Sequence, residues 1–273
     1  MRVVCAMDKF RGTLDASEAV AAAAAGVLDA VPDARAEQVP LADGGEGFLD
    51  VLGGPNRSVL VSGPLGEPVE ARWRMAKGTG VVEMARASGL LLAGGAEGND
   101  PIAASTAGTG EVMADAVAAG VRRVLVGVGG SATTDGGLGA IRALEPLARL
   151  RGVEIVVACD VRTRFVDAAS VFGPQKGATA AQVELLRRRL ERLAQVYEQD
   201  FGIDVREVPG SGAAGGLGGG LLAIGARLVP GFEVVADETD LDELIVDADL
   251  VITGEGHIDE GSFDGKTVGG VAE

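Results

Sequence analysis

The chain has 273 residues, 43 of them glycine, and a formal net charge of −16 at pH 7. This length can bury one large core or two smaller ones, and the negative charge argues against broad binding to nucleic acid or anionic membranes, which requires basic surface. Glycines and charges interrupt every apolar run before it reaches transmembrane length, and Asp8 comes too early for a signal peptide. The sequence therefore predicts a cytoplasmic protein without nucleic-acid or membrane partners.

The chain begins with a predicted strand and helix. Residues 2–7 are predicted to form a buried strand that ends at Asp8, because residues 3–7 are all apolar and include two valines. The D-A-S-E run at 15–18 predicts a capping box in front of an alanine-rich helix. Pro32 cannot continue that helix and is expected to end it.

The next segment combines a strand, an acidic glycine-rich turn and a more alternating region. Residues 37–41 predict a second strand, and the following ADGGEG segment carries Asp43 and Glu46 on either side of two glycines. Turn residues within 58–84 make antiparallel strands plausible there.

The centre of the chain carries a strand followed by a turn of glycines and hydroxyls. We expect a small-residue loop at 106–110, a helix over 111–119 and a buried strand over 124–128. Residues 129–137, GGSATTDGG, then combine backbone N–H groups suited to a phosphate with oxygens suited to Mg²⁺. The same turn also fits a capped strand-to-helix connection.

The last third predicts two more strands. Residues 153–159 form a strand that ends at Asp160, and a loop over 173–177 carries Lys176. A glycine-rich loop is expected at 209–220. Residues 249–253 are expected to form a parallel strand buried on both faces, because their apolar residues are consecutive.

Alternating strands and helices predict an α/β architecture with a mostly parallel sheet. Acidic residues follow the predicted strands, and the carboxyl ends of parallel strands share one edge, where ligands bind. Clustered carboxylates of this kind are typical of a functional site. The acidic residues are Asp8, Asp43, Asp135, Asp160 and Glu255.

Two common nucleotide motifs are weak in this chain. The Gly-Lys-Thr at 265–267 has Gly261 one residue too close for a Walker A motif. A G-x-G-x-x-G pattern occurs at Gly210, Gly212 and Gly215, which leaves an NAD-dependent oxidoreductase as a minor alternative.

Seven ordered blocks give the chain a specific resemblance. They are DKFRGTL (8–14), ADGGEG (42–47), GTGE (108–111), GGSATTDGG (129–137), FGPQKGAT (172–179), PGSGAAGGLGGG (209–220) and TGEGHID (253–259). In this order they resemble the glycerate kinase family of the bacterial glycerate 2-kinase type. The resemblance implies phosphorylation of D-glycerate by ATP with Mg²⁺, giving 2-phosphoglycerate.

The resemblance also implies two α/β domains with the active site in the cleft between them. We place the first domain, which is flavodoxin-like, at residues 1–75 plus 246–273, and the second at 76–245.

Site roles follow from the resemblance together with the chemistry of each residue. We expect catalytic roles for Asp135, Asp160 and Lys176, and metal binding by Asp135 and Glu255. Substrate binding is expected of Asp8, Lys9, Arg11, Asp43 and Glu46. Cofactor binding is expected of Gly129, Gly130, Ser131, Thr133, Thr134, Gly210, Ser211, Gly212, Gly215 and Lys266.

The chain departs from the family pattern in several places. Relatives continue beyond the position of Glu273, so we expect an incomplete first domain whose exposed sheet edge promotes self-association. Thr163-Arg164-Phe165 replaces the usual Asn-Pro-Leu, and His257 stands where relatives carry Arg. These differences leave open a non-catalytic nucleotide-binding remnant as the alternative function.

Overall fold

The computed structural model describes residues 1–10, 12–258 and 267–272. The described residues form two sheets with helices around them. The strands are β1 (Arg2–Met7), β2 (Arg35–Pro40), β3 (Arg57–Ser62), β4 (Pro68–Ala76), β5 (Thr79–Glu83), β6 (Arg123–Gly127), β7 (Glu154–Ala158), β8 (Arg227–Val229) and β9 (Leu250–Gly254).

Helices of very different length connect these strands. They are α1 (Ala16–Ala30), α2 (Phe48–Val51), α3 (Ala85–Ser88), α4 (Gly95–Gly98), α5 (Ala107–Ala118), α6 (Leu138–Ala143), α7 (Ala168–Phe172), α8 (Ala180–Phe201), α9 (Ala213–Ala223), α10 (Gly231–Glu238), α11 (Leu241–Val246) and α12 (Thr267–Ala272). Short 3₁₀ helices lie at Leu147–Leu150 and Pro174–Lys176. Within the described part of the chain, no helix combines the length and apolar composition needed to cross a bilayer.

The smaller sheet has the strand order β2-β1-β9, and both pairings are parallel. The larger sheet has the order β3-β4-β5-β6-β7-β8, antiparallel from β3 to β5 and parallel from β5 to β8. The mixed α/β fold and the antiparallel strands within 58–84 are therefore confirmed. The predicted division of the chain after residues 75 and 245 stays a prediction; the strand pairing assigns residues 57–76 to the larger sheet.

Alternating side chains of the strands supply separate cores. In β1, Val3, Cys5 and Met7 pack against α1. Val4 and Ala6 point the other way, into a core shared with Leu125 and other residues of the larger sheet. The two sheets are thus joined by one hydrophobic cluster, to which α2 and α10 also contribute.

Local capping explains where the two longest helices, α1 and α8, begin. Asp15 accepts the Glu18 N–H and Glu18 accepts the Asp15 N–H, which is the predicted capping box of α1. Thr179 and Gln182 form the same reciprocal arrangement at the start of α8. The expected end of α1 before Pro32 is also observed, since its last residue is Ala30.

Three predicted elements differ from the structure. Helix α5 begins at Ala107 rather than at residue 111, because Gly108 and Gly110 allow its first turns to approach Ser62 and Ala140 closely. Most of the expected loop at 209–220 is helix α9, which contains a kink of left-handed residues at 214–216.

Strand β9 differs from its prediction in burial. Leu250 is 44% exposed and the next three residues are half-buried, so the strand is not buried on both faces. Among the described residues it pairs with β1 alone, which places it at the edge of the sheet that they form.

Candidate active site

The turn after β2 brings the two sheets into contact at their carboxyl ends. A Cβ placed on Gly44 would lie 2.6 Å from the carbonyl oxygen of Ala158, at the end of β7. A Cβ on Gly129, just after β6, would lie 2.4 Å from the Cα of Gly45. The 42–47 turn therefore rests directly on the backbone that follows β6 and β7, at distances that only glycine permits.

A cavity of about 480 Å³ opens beside this contact. Its wall combines residues of the 42–47 turn with the turns after β1, β6 and β7 and with the 3₁₀ helix at 174–176. Polar and glycine residues on the wall include Lys9, Asp43, Glu46, Gly129, Gly130, Ser131, Asp160 and Lys176. The structure thus brings together eight of the residues predicted for the site.

Lys176 is the most unusual side chain of this wall, because its ammonium group is buried. Its Nζ donates to Ser131 Oγ at 2.7 Å and to the carbonyl oxygen of Thr133 at 2.6 Å. Burial lowers the pKa of Lys176 from 10.5 to about 7, and the charge of Asp135 opposes that shift. A buried lysine with such a perturbed pKa at a cavity wall is typical of a functional site.

The turn after β6 offers backbone donors next to Lys176. The N–H groups of Gly129, Gly130 and Ser131 donate to no other group among the described residues. Gly130 has a φ of +70°, which helps the turn to curve around the cavity. Free N–H groups in a curved turn, with a lysine beside them, form an anion-binding arrangement.

An acidic group surrounds Lys9, which lines the first cavity. Lys9 Nζ lies 3.6 Å from Asp8 Oδ1 and 3.7 Å from Asp43 Oδ1. Burial raises the pKa of Asp8, Lys9 lowers it, and the charges of Asp43 and Glu255 raise it. The carboxylates that end β1, β2 and β9 are therefore close enough to repel one another, as the strand-end pattern predicts.

Asp160 and Glu255 complete this acidic group. Asp160 lines the cavity, and its Oδ1 accepts the Gly231 N–H at 2.7 Å, which fixes the beginning of α10. Glu255 follows β9, and its Oε1 is buried without a hydrogen-bond partner among the described residues. Such an orphaned carboxylate oxygen fits a cation ligand.

A second cavity, of about 990 Å³, lies on the other side of Lys9. It shares Lys9, Glu46, Leu90 and Gly130 with the first cavity. Its wall also contains Asp8, Glu83 and Arg86, together with the apolar residues Leu14, Leu41, Val51, Leu91 and Leu92. The two cavities therefore meet at one short, charged boundary.

The Asp135 carboxylate, for which a catalytic and metal-binding role is predicted, is occupied by four hydrogen bonds. Its Oδ2 accepts the N–H and the hydroxyl of Thr106 and the Gly139 N–H, and its Oδ1 accepts the Gly137 N–H. Because the Gly136-Gly137 turn folds the carboxylate back onto the starts of α5 and α6, it is not part of either cavity wall. The geometry therefore favours a capping role for Asp135.

The second glycine-rich segment also lies away from the cavity. Gly210, Ser211, Gly212 and Gly215 are buried, and a Cβ on Gly215 would lie 1.9 Å from the carbonyl oxygen of Thr133. Only the neighbouring Ala213 and Ala214 reach the cavity wall. No strand precedes Gly210 in the described stretch 202–212, so this segment lacks the strand–turn–helix context of a dinucleotide fingerprint.

The remaining predicted residues are either buried or outside the described residues. Thr133 and Thr134 are buried behind the cavity wall. Arg11 and Lys266 lie outside the described residues. His257, which is exposed, follows β9.

One further acidic residue, Glu83, lies at the carboxyl end of a strand and is not among the predicted site residues. Glu83 is the last residue of β5 and is 4% exposed. Its position at the end of an apolar strand was the available signal. Cys159 also lies on the wall of the first cavity, where burial and the neighbouring Asp160 raise the pKa of the thiol to about 11.

Comparisons with known proteins identify the family to which this fold belongs. The glycerate kinase family model matches residues 3–148 and 145–273. A glycerate kinase from Halalkalibacterium halodurans is 40% identical, over 99% of this chain and 81% of that protein. A glycerate 2-kinase from Escherichia coli K12 is also 40% identical, over 100% of this chain and 81% of that protein.

The fold comparison gives the same result. A crystal structure of a candidate glycerate kinase 2 from Salmonella typhimurium LT2 superimposes with a TM-score of 0.88 and 38% identity. The match covers 100% of this chain and 83% of the other. With a family model that spans nearly all of the sequence and relatives at 40% identity, the chain belongs to the glycerate kinase family.

Proposed function

We propose that the chain transfers the γ-phosphoryl group of ATP to the 2-hydroxyl of D-glycerate. The observation that carries this proposal is that Lys176 lines the same cavity as Lys9, Asp43 and Asp160. The wall also contains three residues, Gly129, Gly130 and Ser131, whose backbone N–H groups donate to no other group among the described residues. Phosphoryl transfer depends chiefly on positioning and charge neutralisation, and the two groups of residues supply these separately. Membership of the family supports glycerate as the acceptor.

We assign the phosphoryl groups to the wall formed by Gly129, Gly130, Ser131 and Lys176. The free N–H groups can donate to phosphate oxygens, and Lys176 can add one positive charge where burial strengthens its effect. Burial lowers the pKa of Lys176 to about 7, and the negative charge of a bound phosphate would favour the protonated form.

We assign glycerate to the acidic group around Lys9. Lys9 offers a cation for the glycerate carboxylate, and Asp43 accepts from the hydroxyls. Asp160, at the end of β7, is the carboxylate that we assign to orient or deprotonate the attacking hydroxyl. In this arrangement the hydroxyl loses its proton to Asp160 as its oxygen bonds to the γ-phosphorus, and ADP leaves.

The acidic group also fits Mg²⁺, the usual companion of ATP. All of its donors are oxygens, and the buried Glu255 Oε1 lacks a partner among the described residues. Those residues contain no set of three or more metal-ligating side chains arranged around one point. Mg²⁺ commonly takes one or two carboxylates and completes its shell with water and phosphate oxygens. We therefore assign it to Glu255 and Asp8, where it would neutralise phosphate charge.

The test is a coupled assay of ADP release with ATP, Mg²⁺ and D-glycerate, with the product position determined by ³¹P NMR. We expect turnover on the order of 1–100 s⁻¹ and one product phosphorylated at the 2-hydroxyl. Phosphorylation at the 3-hydroxyl would contradict the assigned acceptor. Binding of ATP without glycerate-dependent turnover would support a nucleotide-binding remnant instead.

The site assignment is tested with two variants and a control. Asp160→Asn should lower kcat strongly with little change in the melting temperature. Lys77→Met, at an exposed lysine in the turn between β4 and β5, should leave kcat unchanged. Normal turnover by folded Asp160→Asn would show that the acceptor is activated elsewhere.

A further inference from the structure

Glu83 is a buried carboxylate for which the proposed reaction has no use. It ends β5 in the larger sheet, yet its contacts are made with the chain that follows the 42–47 turn of the smaller sheet. Its Oε2 accepts the Leu49 N–H at 3.0 Å, at the first turn of α2. A carboxylate that is 4% exposed needs such partners, since burial without them is costly.

Arg86 extends the same attachment. Its Nε lies 3.6 Å from Glu83 Oε1, and its Nη2 donates to Asp50 Oδ2 at 2.6 Å. Asp50 belongs to α2, so that two residues of the larger sheet's β5–α3 segment hold one short helix from two sides. Burial raises the pKa of Glu83, whereas the Leu49 N–H and Arg86 oppose that shift and Asp50 adds to it.

Apart from these polar contacts, α2 is held by the burial of Phe48 and Leu49 in the hydrophobic cluster that joins the two sheets. It has four residues, begins with the left-handed Gly47, and has no side-chain cap. Phe48 packs beneath β6, where a Cβ on Gly127 would lie 2.7 Å from its ring. Phe48 fixes the depth of the helix, and Glu83 adds a directional bond to its backbone.

The residues immediately before α2 are those that reach the cavities. Asp43 lines the first cavity, and Glu46 lines both. Only Gly47 separates Glu46 from the helix that Glu83 holds. Movement of α2 by an ångström would therefore move Glu46, and with it the carboxylates that face Lys9.

We propose that Glu83 is a positioning residue for the reaction, which holds α2 so that Asp43 and Glu46 face the glycerate side of the cavity. This inference rests on the proposed function for its kinetic part. Glu83 touches neither substrate in this assignment, and it acts through the Leu49 N–H.

The test compares Glu83→Gln with the matched variant Glu111→Gln. Glu111 is partly buried and, like Glu83, accepts a backbone N–H, from Ser62 at 2.7 Å, but it joins α5 to β3 and lines neither cavity. Hydrogen exchange measured by mass spectrometry reports on the backbone of residues 42–52 without requiring activity. We expect at least tenfold faster exchange there in Glu83→Gln and wild-type exchange there in Glu111→Gln.

Steady-state kinetics then connect the position of α2 with the reaction. In Glu83→Gln we expect kcat/KM for D-glycerate to fall at least tenfold while KM for ATP changes less than twofold. Glu111→Gln should keep both values even if its melting temperature falls as far. If Glu83 had a purely structural role, Glu83→Gln would lower the folded fraction of the protein. It would not lower kcat/KM for D-glycerate selectively while leaving KM for ATP unchanged.

Each result has a defined meaning. Unchanged exchange at 42–52 in Glu83→Gln overturns the positioning role, and faster exchange with normal kcat/KM overturns its link to the reaction. If the wild-type chain does not phosphorylate glycerate, the proposed function fails, and the exchange result alone decides whether Glu83 holds α2.

Discussion

At Lys176, one ammonium group is subject to burial and to two strong hydrogen bonds at once. Its partners, Ser131 Oγ and the Thr133 carbonyl oxygen, are neutral, so they do not replace the lost hydration of a full charge. The result is a pKa near 7 and a lysine that can gain or lose its proton within the physiological range.

This balance predicts a pH-dependent stability. Between pH 7 and 10.5 the unfolded chain holds the lysine proton and the folded chain does not, so the free energy of unfolding rises with pH over that window. Lys176→Met should lack this rise and should lose about 10²–10³-fold in turnover. Urea denaturation of both proteins at pH 6, 7.5 and 9 measures the difference. If the free energies of unfolding of the two proteins change in parallel with pH, Lys176 keeps its proton in the folded state and the prediction is wrong.

Asp135 leads to a different prediction from the one expected of a catalytic carboxylate. Asp135→Ala removes the acceptor of four donors at the starts of α5 and α6, so unfolding should become easier by about 2 kcal/mol. Turnover per folded molecule should stay within a few fold of wild type. If Asp135→Ala had normal stability but no activity, Asp135 would take part in catalysis.

At the scale of elements, the glycines of α5 show how packing outweighs intrinsic preference. Glycine weakens a helix interior, and the small residues at 106–110 therefore predict a loop. A Cβ at Gly108 would lie 1.9 Å from the Ser62 carbonyl oxygen, and a Cβ at Gly110 would lie 2.4 Å from that of Ala140. The helix forms there because its bare backbone fits between β3 and α6.

Two alanine substitutions separate these effects. Gly110→Ala in α5 should destabilise the chain by about 1–3 kcal/mol or more through overpacking. Gly26→Ala in α1, where nothing lies within 4 Å of the new Cβ, should stabilise it by about 0.5–1 kcal/mol. Thermal unfolding of both variants tests the comparison. A stabilising Gly110→Ala would mean that α5 and α6 can separate without cost.

The elements that could be predicted from sequence are those with local signals. The apolar run at 3–7 and the capping residue Asp15 define their elements without reference to the rest of the chain. The cavity cluster followed from one topological rule, that the carboxyl ends of parallel strands share an edge.

The elements that could not be predicted depend on distant contacts. The segment 209–220 became helix α9 because Phe165 and the Gly136-Gly137 turn pack against its glycines. The direction of the Asp135 carboxylate and the edge position of β9 depend on neighbours far away in sequence. No window of residues around these positions contains that information.

At the scale of the whole molecule, the high negative charge opposes the self-association that an exposed sheet edge favours. Within the part of the chain that the structure describes, strand β9 pairs only with β1, and Leu250 and the nearby Val246 are 44% and 82% exposed. Such edges favour pairing with another chain, whereas a net charge of −16 keeps copies apart.

We therefore expect self-association that depends on salt. Light scattering should give a mass that rises with protein concentration, and more steeply at 1 M than at 0.05 M salt, because screening weakens the repulsion. Leu250→Lys should reduce this rise without changing glycerate turnover. A constant monomer mass across all salt concentrations would show that the edge is protected in solution.

The contact between the 42–47 turn and the strand ends has a genetic consequence. Gly44, Gly129 and Gly231 each meet backbone atoms at less than 3 Å from where a Cβ would stand, and backbone cannot move aside as a side chain can. A second substitution changes a neighbouring side chain but not the backbone atoms that a Cβ would meet. We therefore expect no second-site substitution to rescue a change at these positions. In a saturation mutagenesis scan selected for growth on glycerate, we expect these three positions to tolerate no residue other than glycine. The intolerant positions would then identify the contact between the two sheets without any structural measurement.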